Sequence, residues 1–153
     1  MRPAPPLKPI SREIYFAMRY ILDEQVGFVL RQAQQRHTLL FAGLMIDGLT
    51  PTQWAALAKL WECGAQSQNH LGRRTAMDGA TIKGVIDRLA LRGLTAIRPD
   101  PEDARRLLIE LTEEGAGVCR RAAPVALEIT EKTLSPLAEA EREILIGLLR
   151  KIV

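Results

Sequence analysis

A cluster of basic side chains is the feature of this sequence that most clearly indicates a binding site. Residues 66–106 hold eight lysines and arginines against five acids, a net charge of +3, while the rest of the chain is balanced. Such a local excess of positive charge is typical of a surface that binds a polyanion. The cations that we expect to make such contacts are Arg73, Arg74, Lys83, Arg88, Arg105 and Arg106.

The other reactive side chains form no catalytic or metal-binding pattern. The chain has two histidines and two distant cysteines, Cys63 and Cys119, and no spacing typical of zinc ligands. Motifs for a nucleophilic serine, a phosphate loop or a dinucleotide are also missing. We therefore predict that the protein is not an enzyme and binds no metal or cofactor. We also predict that both thiols are buried. A redox-sensing Cys119 beside Arg120 and Arg121 stays open as an alternative.

Start and stop signals predict the elements that position the basic residues. Thr50-Pro51-Thr52-Gln53 is a capping box that begins a helix ending at Gly64. Ser67 caps a short helix to about Ala76, and Asp78 caps a helix over residues 79–92 that stops at Gly93. Two short strands follow, 94–98 and 107–111, around a charged turn. Two helices, a tight turn and a hairpin with a basic tip are typical of a winged helix-turn-helix.

The helix over residues 79–92 has the pattern of a recognition helix. Its apolar residues recur at helical spacing and form one face: Ile82, Val85, Ile86 and Leu89. We expect the residues on the opposite face and its flanks to contact the bases. These residues are Ala80, Thr81, Lys83, Gly84, Asp87 and Arg88. Small residues at 80 and 84 would let the helix approach a major groove closely.

The hairpin and the short helix supply further contacts. Arg105 and Arg106 at the hairpin tip suit a minor groove, where the potential is most negative. We expect Asp103 to pair with Arg98 or Arg105 and so to preset the tip. Arg73 and Arg74 at the end of the short helix would bind phosphates, and Ser67 at its start is a further candidate DNA contact.

The flanking segments predict dimerisation helices. A proline-rich flexible arm, 1–10, precedes a helical region, 11–48, with a break or bend near residues 34–37. The winged helix-turn-helix occupies 49–112. The segment 113–153 holds a helix kinked at Pro124 and a last helix capped by Ser135-Pro136. The fold class is mainly α with a small β-hairpin wing, and the flanking apolar faces indicate a homodimer.

The central segment resembles the MarR (multiple antibiotic resistance regulator) family of bacterial transcription factors. The resemblance rests on Ser67-Gln68-Asn69-His70-Leu71, Asp87-Arg88-Leu89, Arg92-Gly93-Leu94, and the wing signature Asp103-Ala104-Arg105 before Leu111-Thr112. Many members have a second arginine where this chain has Ala104. The resemblance implies a triangular homodimer on a pseudo-palindromic double-stranded DNA operator. It also implies a repressor released by a small aromatic acid or phenol, and the run Met77–Val85 resembles members that govern aromatic or nicotinate catabolism.

A cation with aromatic and apolar neighbours would suit an aromatic carboxylate. The candidate effector residues are Arg19, His37, Phe41, Trp54 and Trp61. The alternative for the histidine is a helix-surface position or a hydrogen-bonded core position, and the alternative for the tryptophans is plain core packing. Two other functions stay open, a thiol-based redox regulator of the same fold and a helical protein-interaction module. The N-terminus lacks a signal peptide and no apolar run spans a bilayer, which predicts a cytoplasmic protein without a membrane partner.

Overall fold

A computed structural model of the chain describes residues 20–103 and 105–153. The chain divides into two units, residues 1–36 and 37–153. In the first unit, a 3-10 turn at Leu22–Glu24 leads through the extended Gln25 into helix α1, Val26–Leu44. This helix is continuous over residues 34–37, where the sequence predicted a break or bend. The predicted helix over residues 11–19 lies outside the described residues.

The second unit contains the helix-turn-helix and the hairpin in the predicted order. After α1 it comprises α2 (Pro51–Cys63), α3 (Gln68–Arg74), α4 (Gly79–Leu91), β1 (Thr95–Pro99), β2 (Leu107–Leu111), α5 (Glu113–Leu134) and α6 (Glu139–Leu149). The strands pair antiparallel, with Thr95 opposite Leu111, and Gln66 adds a bridge to Ile109. This order confirms a mainly α fold with a small β-hairpin. None of the described helices is both long and apolar enough to cross a membrane.

Polar caps begin two of these helices, α2 and α4, where the sequence predicted them. The Thr50 hydroxyl accepts from the Gln53 N–H, and the Gln53 side chain accepts from the Thr50 N–H at 3.0 Å. Asp78 Oδ1 accepts from the Thr81 N–H at 2.7 Å, which begins α4. Each cap satisfies backbone donors that the first helical turn leaves free. The start of each helix is therefore set within four residues of sequence.

The last helix begins later than the sequence predicted. Its N-cap is Ala138, whose N–H donates to the Glu141 side chain at 2.8 Å. Ser135 instead continues the helical backbone at the end of α5, and its hydroxyl donates to the Lys132 carbonyl. The predicted Ser135-Pro136 cap was therefore wrong, because the serine hydroxyl is used by the preceding helix.

The core joins the helix-turn-helix to α5. Helix α2 packs against α4 and α5, and its Leu57 is fully buried together with Val85 and Leu89 of α4. Cys119 and Ala122 complete this cluster from α5. Complete burial of an aliphatic side chain contributes about 1.5–3 kcal/mol, so the cluster holds α4 firmly in place.

The turn between α3 and α4 is closed by a residue other than glycine. Ala76 has a φ of 53°, in the left-handed region, and the Met77 N–H donates to the Gly72 carbonyl at 2.9 Å. Gly79 is the first residue of α4, where the sequence predicted that this helix begins. The turn geometry follows from the close packing of α3 on α4, where a Cβ at Gly72 would lie 3.2 Å from Ile82.

A glycine holds the wing against the start of α5. A Cβ at Gly115 would overlap the Leu94 carbonyl and lie 3.3 Å from the Leu111 side chain. The Thr112 hydroxyl accepts from the Gly115 N–H and donates to the Gly93 carbonyl at 2.7 Å. Helix α5, the end of β2 and the turn after α4 therefore meet at this point with no room for a side chain.

Candidate nucleic-acid interface

Helix α4 has the two faces that the sequence predicted. Ile82, Val85, Ile86 and Leu89 are at most 2% exposed and form the inner face. The candidate base-contacting residues lie on the other side, where Gly84 is half-buried and the rest are exposed: Ala80, Thr81, Lys83, Asp87 and Arg88. The helix is therefore anchored along one side and open to a partner along the other.

The charged side chains of this outer face are already arranged on the helix. Lys83 Nζ lies 2.7 Å from Asp87 Oδ2 in an ion pair one helical turn apart. The guanidinium of Arg88 folds back over Gly84, where a Cβ would lie 3.6 Å from its nitrogens. Residue 84 therefore adds no side chain of its own beside the Arg88 guanidinium.

An exposed aspartate, Asp78, caps the N-terminus of α4. Hydrogen bonding from the Thr81 backbone N–H lowers the pKa of Asp78, which is exposed to solvent. Asp78 is therefore ionised at neutral pH and caps the end of the helix that a recognition helix presents first to DNA.

The wing tip is held by two aspartates, one of which the sequence analysis missed. Asp103 Oδ1 accepts from the Arg105 backbone N–H at 3.0 Å, and the Arg106 N–H donates to the Asp103 carbonyl. Asp100 lies 3.8 Å from the Arg106 guanidinium, accepts from the Glu102 N–H, and has a side chain only 12% exposed. A second aspartate three residues before Asp103 was the signal for this role.

Arg98 does not take part in presetting the tip. Its Nε donates to Glu110 Oε2 at 2.6 Å, across the hairpin, so the predicted pairing of Asp103 with Arg98 was wrong. Register explains the difference, because Arg98 lies opposite Leu108 and therefore diagonal to Glu110.

A polar groove runs between α3 and the hairpin. It brings together three of the predicted contact residues, Ser67, Arg73 and Arg106, with Asn69 and His70 as neighbours that the sequence analysis did not select. Ser67 is the N-cap of α3, yet its side chain makes no capping hydrogen bond. Its hydroxyl and two guanidinium groups therefore face one groove, a donor set suited to phosphate oxygens.

Arg74 points away from this groove. Its guanidinium donates to Cys63 Sγ at 2.7 Å, which joins the last residue of α3 to the last residue of α2. The sequence predicted Arg74 as a DNA contact, but in this structure its guanidinium is hydrogen-bonded to another helix of the same chain.

The two cysteines differ from the prediction of two buried thiols. Cys63 is exposed, whereas Cys119 is fully buried in the core. Burial raises the pKa of the Cys119 thiol to about 11, despite the nearby charge of Arg120. Cys119 therefore lacks the thiolate and the access that a redox sensor needs.

The candidate effector residues are only partly brought together. His37 Nδ1 is hydrogen-bonded to Thr133 Oγ1 at 3.0 Å, and its ring centroid lies 6.2 Å from that of the buried Phe41. Trp54 packs against the core and Trp61 is 46% exposed. Within residues 20–103 and 105–153, neither tryptophan makes a ring contact with the histidine. Arg19 lies outside the described residues.

Comparisons with known proteins give a consistent result. Residues 49–107 match the family model described as MarR family. The chain is 42% identical over 135 residues to the HTH-type transcriptional repressor NicR of Pseudomonas putida, covering 88% of this chain and 85% of NicR.

Solved structures agree in fold along most of the chain. A probable transcriptional regulator from Pseudomonas aeruginosa has a TM-score of 0.85 and 51% identity, and the match covers 87% of this chain and 100% of that one. BpsR of Bordetella bronchiseptica, whose DNA binding is regulated by 6-hydroxynicotinic acid, has a TM-score of 0.83 and 41% identity, with coverage of 87% and 96%.

Proposed function

The chain belongs to the MarR family of transcriptional regulators, and on that premise we propose that it is an operator-binding repressor released by a small aromatic acid. The observation that carries the proposal is the outer face of α4, held by a fully buried inner face and followed by a wing with two arginines. Similarity to a repressor, NicR, supports the direction of control.

In this proposal, α4 enters the major groove and the wing lies along the minor groove. The bases are read by the outer face, with Ala80, Thr81 and Gly84 permitting close approach and the charged residues supplying hydrogen bonds. Arg105 enters the minor groove, because its backbone is fixed by Asp103 and its exposed side chain extends from the tip.

The groove beside α3 binds the DNA backbone. Ser67, Arg73 and Arg106 contact phosphate oxygens, and Asp100 orients the Arg106 guanidinium before DNA arrives. Contacts of this kind fix the register of the protein on the duplex and carry no sequence information by themselves. They also make the affinity depend steeply on salt, since each neutralised phosphate releases counterions.

The functional unit is a homodimer. The C-terminal segment 113–153 leaves large apolar side chains uncovered in the single chain, among them Leu127, Ile144, Leu148 and Ile152. Large apolar side chains left exposed along one segment are typical of an interface between copies. A two-fold dimer would place two copies of α4 about one helical turn of DNA apart, on a pseudo-palindromic operator.

The effector is proposed to be a hydroxylated aromatic carboxylic acid. BpsR, at 41% identity, responds to 6-hydroxynicotinic acid, and NicR is similar over most of this chain. The pair of His37 and Phe41 offers an aromatic ring and a hydrogen-bonding imidazole held by Thr133. We infer no catalytic activity for this site.

The test is fluorescence anisotropy with labelled DNA from the promoter region beside this protein's own gene. Two chains should bind each duplex, with an affinity that falls steeply as salt rises, and 6-hydroxynicotinic acid should release the DNA. Arg105→Ala should reduce the salt slope by roughly one unit or less, whereas Arg105→Lys, which keeps the charge, should preserve it.

Two outcomes would contradict the proposal. Absent or salt-independent DNA binding would favour a helical protein-interaction module instead. Release by an oxidant alone, and by none of the aromatic acids, would favour a thiol-based regulator that uses the exposed Cys63.

A further inference from the structure

Resting on the proposed DNA-binding function, we propose that the Lys83–Asp87 ion pair reads one G·C base pair in each half-site of the operator. Both side chains lie on the outer face of α4, with 64% and 54% of their surface exposed. They are one helical turn apart, and their charged atoms are separated by 2.7 Å. A donor and an acceptor are thus presented side by side to the groove.

The aspartate is the informative member of the pair. A carboxylate on a DNA-facing helix is repelled by the phosphates, so Asp87 weakens any binding that depends on charge alone. A base can compensate for this repulsion only where its edge presents a donor that hydrogen-bonds to the carboxylate. The preferred donor for Asp or Glu in the major groove is the cytosine N4 amino group.

The lysine selects the same base pair. Guanine presents two acceptors, O6 and N7, and these are the preferred partners of Lys and Arg. In a G·C pair, guanine O6 and cytosine N4 are hydrogen-bonded neighbours, so they form an acceptor–donor pair that matches Lys83 Nζ and Asp87 Oδ2. An A·T pair also presents a donor, the adenine N6 amino group, but its two acceptors, adenine N7 and thymine O4, lie on opposite sides of that donor. A lysine therefore cannot contact both acceptors as it can on guanine, and the thymine methyl group adds bulk, so A·T fits this pair of side chains less well.

The pair would also let this face discriminate between base sequences without raising the affinity for DNA of any sequence. Because Asp87 neutralises Lys83, the two residues together add no net charge toward the phosphates. The neighbouring Arg88 is folded over Gly84 and remains a separate cation. Removal of the Asp87 charge should therefore strengthen binding to unrelated DNA while it reduces discrimination between sequences.

The experiment is selection from a randomised duplex library at fixed salt, followed by affinity measurements on single-base variants of the selected site. Parent, Asp87→Asn and Glu62→Gln proteins are compared. Glu62→Gln is the matched control, because it removes another exposed helical ion pair, Lys59–Glu62 at 2.6 Å, on α2. Asp87 is exposed and makes no core contact, so the variant should fold, and circular dichroism checks this.

The parent should select a G·C pair at one position of each half-site. Exchange of that pair for A·T should weaken the parent by about 5- to 150-fold, as expected for one good side-chain–base contact. In Asp87→Asn this ratio should fall towards one or shift to adenine, and affinity for unrelated DNA should rise. Glu62→Gln should behave as the parent does.

If the parent bound DNA and Asp87→Asn kept the same base preference at every position, the base assignment would be overturned. The proposed DNA-binding function would still stand. A parent preference for A·T at the position sensitive to residue 87 would overturn it as well. Failure of the parent to enrich any sequence would instead refute the proposed function, and the base assignment with it.

Discussion

Replacement of Gly84 by alanine should stabilise the protein and weaken its DNA binding. Gly84 lies in the interior of α4, on the outer face, where the atoms nearest to a Cβ belong to the Arg88 guanidinium, at an ordinary contact distance of 3.6 Å. The fold therefore accommodates a methyl group. Since glycine is about 0.8–1.0 kcal/mol less favourable than alanine inside a helix, Gly84→Ala should raise the free energy of unfolding by up to about 1 kcal/mol.

The expected change in melting temperature is an increase of roughly 2–4 °C, given the size of the domain. On DNA, the same methyl group would stand between α4 and the floor of the major groove and would displace Lys83 and Arg88 from the base edges. Loss of one such contact costs about 1–3 kcal/mol, so operator affinity should fall by about 5- to 150-fold.

The assay pairs thermal unfolding with anisotropy on the operator. Gly43→Ala is the matched control, because Gly43 lies in α1 with no atom within 4 Å of its Cβ position. That variant should gain stability without losing DNA affinity. If Gly84→Ala bound the operator as tightly as the parent, the reasoning that a small residue is needed for close approach would be refuted.

Three further predictions concern stability and reactivity. Gly115→Ala should lower stability by about 1–3 kcal/mol, measured by urea unfolding, because the new methyl group would overlap the Leu94 carbonyl; an unchanged midpoint would contradict the close packing of the wing on α5. Iodoacetamide followed by peptide mass mapping should label the exposed Cys63 in the native protein and spare the buried Cys119 until the chain unfolds. Asp78 has a lowered pKa, so its capping contribution should be present above the unfolded value of 3.8 and be lost as pH falls through the lower folded value; Asp78→Asn should melt with a weaker dependence on pH in this acid range.

The two faces of α4 and the helix caps beside the candidate DNA-binding surface were predictable because their signals are local. The inner face of α4 follows from the spacing of Ile82, Val85, Ile86 and Leu89, which is independent of the rest of the fold. Helix caps act over three residues, and those at Thr50 and Asp78 are found where the sequence placed them. At the wing tip, the sequence predicted that Asp103 acts on Arg98 or Arg105, and the contact found is the short-range one to the Arg105 backbone N–H.

The errors concern contacts between elements. Ser135 has the residue type of a helix cap, but its hydroxyl is taken by Lys132 in the preceding helix. The prediction for Cys63 failed because burial depends on which neighbours cover a helix end, and the end of α2 is left open to Arg74. Periodicity along one helix carries no information about either.

The sequence by itself determined the order of the elements, the two faces of α4 and the identity of the basic residues, because periodicity, caps and turn residues act over a few positions. The tertiary structure decided which of those cations share a groove, which arginine pairs with Glu110, and that Arg88 lies over Gly84. Strand register and helix packing bring together residues that are distant in sequence, so these pairings depend on the assembled core.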